Sequence, residues 1–159
     1  MSEDPREGTD NPGVIAPPPL IYAGTLAVGL LLNRLHPVPF LPRGPWRVLG
    51  LPLAFTGLLI GLQGYREMVR AGTNVDPYKP STTIVEAGPY RYTRNPLYLG
   101  MTLIHIGVSA LANALPPILL LPIVLAVMRR GVIEREERYL ERKFGDEYLS
   151  YKTRVRRWI

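Results

Sequence analysis

The residues of this chain that could do chemistry fall into two clusters. The first is Gly88-Pro-Tyr-Arg-Tyr-Thr-Arg-Asn-Pro-Leu-Tyr-Leu-Gly100, which packs three Tyr, two Arg, two Gly and two Pro into thirteen residues. The second is the charged stretch from Arg129 onward. There Ile133, Leu140 and Phe144 fall at i, i+7 and i+11, one apolar stripe on a helix. Glu137, at i+4, lies on that stripe. A carboxylate on a packing face is costly without a partner. A ligand ammonium, ligand hydroxyls or an Arg from the Arg91–Arg94 turn would each serve. Glu134 and Arg138 form an i,i+4 pair that by itself marks only a solvated face. The Tyr and Arg of the first cluster equally suit a belt at the lipid headgroups.

The elements that position these clusters follow from the charge pattern. Asp, Glu, Lys and Arg are absent from Asn11 to Asn33, from Val48 to Tyr65 and from Asn95 to Met128. A bilayer core of about 30 Å needs roughly 17–25 helical residues. The first two runs suit one span each. The third holds 34 residues, too many for one span and right for a hairpin broken at Asn113 and Pro116-Pro117. The expected fold is all-α: a polytopic membrane bundle of about four transmembrane helices, at about 19–33, 48–65, 96–112 and 115–128, with a C-terminal cytosolic helical segment over 131–153. Gly145 is placed to end one helix there, and Asp146 to cap the next. Residues 1–16 read as a mobile tail, and 17–159 as one domain. The leader Met1–Asp10, with one basic and four acidic residues, lacks the basic start of a signal peptide. Both ends are expected on the cytoplasmic side, in a bacterial inner membrane, so that the Arg66–Arg94 loop and the C-terminal segment meet at one mouth.

Gly57 and Gly61 form a small-xxx-small pair suited to close helix packing. His105 lies inside the third span, where it either serves function or bonds a neighbouring helix. It has no second His or carboxylate in its run, so no metal is expected. Cysteine chemistry is excluded, because the chain has no Cys. A P-loop and a GxGxxG between strand and helix are absent, and a soluble Rossmann-type domain has no room. The net charge of +6 is not a nucleic-acid signal, because ten of nineteen basic residues follow the hydrophobic hairpin. Membrane lipids are the expected neighbours.

The segment Ile84–Gly100 resembles the G-x-Y-x-x-x-R-H-P-x-Y-x-G signature of isoprenylcysteine carboxyl methyltransferases. The segment Glu134–Tyr151 resembles their E-E…F-G-x-E-Y-x-x-Y signature, and phospholipid methyltransferases share a version of both. The likeness covers about Thr82 to Arg156. It implies S-adenosylmethionine (S-adenosyl-L-methionine) as cofactor and a lipophilic small molecule or lipid as methyl acceptor. By position it assigns cofactor contacts to Thr82, Thr83, Ile84, Val85, Tyr90, Asn95, Pro96, Leu97, Tyr98, Glu134, Glu136 and Glu137. Arg130 matches a basic position that holds the acceptor, and Arg94 and Asn95 stand with it as catalytic candidates. Asn95 occupies the usual His position and cannot titrate near neutrality, so it can position a cofactor but not act as a general base. Two other readings remain beside this one: an NADPH-dependent membrane reductase of sterol-reductase type, and a non-enzymatic membrane scaffold.

Overall fold

The computed structural model describes residues 10–42 and 44–159. Among them all regular structure is helical: α1 Pro18–Leu35, α2 Gly50–Arg70, α3 Pro96–Ala112, α4 Leu115–Met128, α5 Glu134–Phe144 and α6 Asp146–Arg154. Pro at the first positions of α1, α3 and α4 starts each helix where a missing N–H costs nothing. The hairpin break falls as expected. Asn113 ends α3 in the left-handed region at φ 48°. Its side-chain oxygen accepts N–H groups of Phe40 at 3.1 Å and Leu41 at 2.8 Å, tying the proline-rich connector to the hairpin tip.

α2 and α3 run antiparallel along a seam of glycines seven apart. A Cβ on Gly57 would lie 2.5 Å from the Gly100 carbonyl, and one on Gly107 would lie 2.6 Å from the Gly50 carbonyl. Such backbone contact is what small residues permit between apolar helices. Gly57 and Gly61 pack as expected: a Cβ on Gly100 would lie 2.6 Å from the Gly57 carbonyl oxygen and 3.0 Å from the Gly61 nitrogen. Gly50 and Gly64, also buried, extend the seam along α2. α1 packs antiparallel on α4, with Gly29 against Pro117. His105 takes the structural role: its Nε2 lies 3.0 Å from the Pro117 carbonyl, and its ring stands edge-on to Tyr22.

Two helical runs, Pro45–Arg70 and Leu115–Phe144, are long and apolar enough to cross a membrane, and Pro96–Ala112 is a shorter apolar helix. The apolar part of the second run ends at Met128. A wide π-type turn, Arg129–Ile133, then carries the chain into the polar α5 without a break. Here the Gly131 carbonyl accepts the N–H of Ile15 at 3.2 Å, and a side chain on Gly131 would collide with Ile15. Residues 1–9 of the expected mobile tail lie outside the described residues. Asp10 to Ile15 lie along α5: Asp10 pairs with Lys143 at 2.7 Å, the Gly13 carbonyl accepts from Arg135, and Val14 is buried.

Gly145, at φ +53°, separates α5 from α6. Asp146 is the first residue of α6 and makes no capping bond, so the cap position belongs to Gly145. α2 runs on to Arg70, past the expected end at Tyr65, and the arrangement puts the segment 71–94, the start of α3 and the whole of α5 at one end of the bundle.

Candidate functional site

The first chemistry-bearing cluster begins as a single 3₁₀ turn, Gly88–Arg91, and enters α3 at Pro96. Gly88 makes this turn at φ +57° with the Glu67 side chain against it, where a Cβ would be 2.9 Å from Glu67 Cγ. The segment before it is stapled in place. Thr82 donates to the Gly72 carbonyl, its N–H bonds the Thr73 hydroxyl, and the Ser81 N–H bonds the Tyr139 hydroxyl.

α5 faces this cluster, and its apolar stripe docks as the spacing predicts. Ile133 is fully buried, and Leu140 and Phe144 pack with Ile84 against Tyr148, Tyr151 and Val155. Glu137 rides on that stripe and finds two guanidinium groups. Arg94 Nη2 lies 3.2 Å from its Oε1, and Arg157 grips it with Nε at 2.9 Å and Nη2 at 2.7 Å. The carboxylate therefore solves its burial with the expected Arg from the Arg91–Arg94 turn and with a second Arg the sequence pattern did not nominate. Glu134 does not pair with Arg138. It accepts from Arg129 at 3.0 Å and lies 3.9 Å from Arg157.

The extended segment after α6 completes the site. It crosses the turn at residues 93–95, where the Arg156 carbonyl accepts the Arg94 N–H at 3.0 Å. The Arg157 carbonyl accepts both the Thr93 hydroxyl at 3.1 Å and the Asn95 side-chain amide at 2.9 Å. Asn95 is thus a buried donor that holds the backbone of the residue clamping Glu137.

Two adjoining cavities open between the clusters and share Met68, Ser81, Tyr90, Arg94, Asn95, Glu136 and Leu140. The first adds Thr83, Ile84, Val85 and Glu137, and the second adds Pro96, Leu97 and Tyr98. Ten of the twelve residues nominated for cofactor contact therefore line this space. Thr82 and Glu134 do not: Thr82 turns onto Gly72 and Thr73, and Glu134 turns to Arg129. Among the catalytic candidates Arg94 and Asn95 line it. Arg130 lies apart, exposed in a groove with Thr102, Leu125, Ala126, Arg129 and Trp158. That groove is one turn of α3 away, since the Thr102 hydroxyl donates to the Tyr98 carbonyl.

The electrostatics of the cavity are set by burial. Desolvation pushes the Glu136 carboxyl up to about 7, with Glu137 adding to the rise and the Tyr98 hydroxyl bond at 2.6 Å opposing it. Desolvation also raises the phenols of Tyr90 and Tyr151, and that of Tyr148 to about 12. They stay neutral at physiological pH and act as hydrogen-bonding walls. Arg157, Tyr148, Tyr151, Met68 and Tyr139 were not nominated from sequence. The two C-terminal tyrosines stood in the quoted motif, and Glu137's need for cations was the signal for Arg157.

A basic, tyrosine-rich turn facing an acidic helix across such a cavity, at one end of an apolar helical bundle, defines a class. The sequence profile of the phospholipid methyltransferase family matches residues 46–147, more than half of the chain, and the protein belongs to that family. It is 38% identical over 115 residues to the human protein-S-isoprenylcysteine O-methyltransferase, covering 65% of this chain and 39% of the human one. It is 33% identical over 77 residues to the cobalt-zinc-cadmium resistance protein CzcN of Cupriavidus metallidurans, covering 48% of this chain and 35% of that protein. A shorter stretch of 37 residues is 57% identical to an uncharacterized protein of Haemophilus influenzae, covering 23% of this chain and 59% of that one. The chain thus spans less than two thirds of the length of each of these relatives. No solved structure matches it significantly.

Proposed function

We propose that the protein transfers a methyl group from S-adenosylmethionine to a lipophilic acceptor at the membrane surface. The observation that carries this reading is the cavity where the Gly88–Gly100 turn and α5 converge, in a chain of the phospholipid methyltransferase family. The donor set fits the cofactor's chemistry. Ile84, Val85 and Leu140 offer apolar walls for a base, Thr83, Ser81 and Asn95 offer polar groups, and Glu136 and Glu137 favour cationic centres. The buried Nε and Nη1 donors of Arg94 stand without a hydrogen-bond partner among the described residues.

We take the bundle as four spans with the cavity on the cytosolic side of a bacterial inner membrane. Exposed Leu20, Leu31, Leu51, Phe55, Leu58, Leu62, Leu119 and Ile123 give the bundle an outer apolar belt larger than single scattered residues would make. Basic residues gather at the cavity end, as the positive-inside tendency requires.

Bound there, the cofactor would supply an electrophilic methyl group. The protein's residues then need only orient it, align the acceptor and exclude water, which can provide most of the acceleration. Asn95 holds the wall and cannot take a proton near neutrality. Arg130, which lines a groove with Trp158 and Leu125, would receive an anionic headgroup whose tail reaches the lipid. A carboxylate acceptor needs no base at pH 7, whereas an amine would have to lose a proton.

Calorimetry of the purified protein in detergent should show S-adenosylhomocysteine binding, and Glu137→Ala should weaken it at least tenfold by releasing Arg94 and Arg157. Absence of binding to the wild type overturns the proposal. Stabilisation by NADPH in place of S-adenosylhomocysteine would favour the reductase reading.

A further inference from the structure

The segment Asp10 to Ile15 runs along α5 and the turn before it. Asp10 Oδ1 accepts the Tyr139 hydroxyl at 2.9 Å, and its Oδ2 pairs with Lys143 Nζ at 2.7 Å. The Gly13 carbonyl accepts from Arg135 Nη1 at 2.7 Å. The Val14 side chain is buried in the core with Met128, Val132 and Ile133. The Ile15 N–H reaches the Gly131 carbonyl at 3.2 Å. Between Asp10 and Gly13 stands Pro12, which forms part of the wall of the second cavity together with Ser81 and Tyr139.

Tyr139 joins this segment to the cavity wall. Its buried hydroxyl donates to Asp10 and accepts the Ser81 N–H at 3.0 Å and Lys143 Nζ at 3.0 Å. One proton and two lone pairs are then all in use, so loss of Asp10 would leave the hydroxyl proton without its acceptor. Ser81 lines both cavities.

The two ends of the segment are held unequally. Val14 is fixed by apolar burial next to α1. Asp10 is held by an ion pair whose carboxylate side chain is 59% exposed, a contact that salt screens and that contributes little. Gly13 lies between them at φ +63°, with open space where a Cβ would be. The Asn11 side chain accepts its N–H at 2.9 Å, a local turn that keeps its shape without α5.

We propose that residues 10–13 are a flap over the second cavity, hinged at Gly13 and latched by Asp10 on Tyr139 and Lys143, which lifts to pass a water-borne solute. Only the identity of that solute, S-adenosylmethionine and its product S-adenosylhomocysteine, rests on the cofactor reading above.

The chain has no cysteine, so Pro12→Cys supplies a single reporter thiol for a water-soluble maleimide, used on the full chain in detergent. Adding Asp10→Ala should speed the reaction about threefold or more, and raising sodium chloride to about 1 M should speed it only while Asp10 is present. Equal rates with and without Asp10 overturn the latch.

A second arm uses no reporter. Asp10→Ala should raise the association and dissociation rates of S-adenosylhomocysteine together by about threefold or more, leaving Kd within about twofold, since the latch controls passage and not the bound contacts. Gly13→Ala, strained at φ +63° but free of collision, should act in the same direction through the hinge. Unchanged rates, or faster dissociation alone with weaker Kd, overturn the flap, the latter because Asp10 would then merely shape the wall through Tyr139. If S-adenosylhomocysteine does not bind the wild type, the cofactor reading falls and the thiol reaction alone decides the flap. If Pro12→Cys does not fold, the binding rates decide it.

Discussion

Glu137 and Arg157, twenty residues apart, form a two-point ion pair with N–O distances of 2.9 and 2.7 Å, and the Arg157 backbone is simultaneously anchored by Thr93 and Asn95. One residue thereby ties the acidic helix to the basic turn. Arg157→Ala should destabilise the protein by about 1–3 kcal/mol, the range for a charged hydrogen-bonded contact that leaves its partner buried. Arg157→Lys should recover only part of this, because a lysine lacks the planar fork. Thermal melts in detergent check the order wild type, Lys, Ala. Indistinguishable melts would show that Arg94 alone satisfies Glu137.

The Asn95 amide donates to the Arg157 carbonyl at 2.9 Å. Asn95→Ala should cost about 1 kcal/mol and loosen the clamp on Glu137. Asn95→His retains a ring N–H donor and should cost less. Asn95→Asp loses the donor and adds a charge facing a carbonyl, so it should cost most. Chemical stability and S-adenosylhomocysteine affinity should fall in the same order, and a reversed order between His and Asp would refute the positioning role.

Glu136 titrates near 7 in the folded chain, well above the ordinary carboxyl value of 4.5. A raised carboxyl pKa means that the folded state holds the proton more tightly than the unfolded state. Its stabilising effect is complete below about pH 4.5 and fades as pH climbs through 7. The groups facing it are Tyr98, Tyr90 and Glu137. Glu136→Gln should remove this part of the pH dependence between those limits, read from melting curves at stepped pH. In the proposed function, a cationic ligand should also bind more tightly above pH 7 and expel the Glu136 proton, which calorimetry in buffers of different ionisation enthalpy would detect.

The glycine seam gives a sharp contrast. At Gly100 a Cβ would sit 2.6 Å from the Gly57 carbonyl, so Gly100→Ala must push α2 and α3 apart and should cost about 1–3 kcal/mol. At Gly61 a Cβ meets nothing within 4 Å, so Gly61→Ala should be neutral or stabilising by up to about 1 kcal/mol. Paired melts of the two variants check the register of the helix pair.

Much of the architecture was legible because it depends on short-range rules. Uncharged runs and proline placement set the four apolar helices: α3 and α4 begin and end where Asn95–Pro96, Asn113 and Pro116-Pro117 put them. The stripe Ile133, Leu140 and Phe144 fixed the docking face of α5, and with it the burial of Glu137. The extent of α2 was not legible. It continues past Tyr65 to Arg70, because charged residues at its end reach water beyond the apolar belt.

The sequence by itself determined that a carboxylate would be buried on α5 and that a cation would have to meet it. A residue's type and its place in a helical period are enough for that. Only the tertiary structure decided which cations meet Glu137, that Glu134 and Thr82 turn away from the cavity, and that Arg130 belongs to a neighbouring groove. Those outcomes depend on where the segment after α6 crosses the 93–95 turn, a contact between residues more than sixty positions apart. No local pattern encodes such a crossing, because it is selected by the summed packing of Tyr148, Tyr151 and Val155 against the acidic helix.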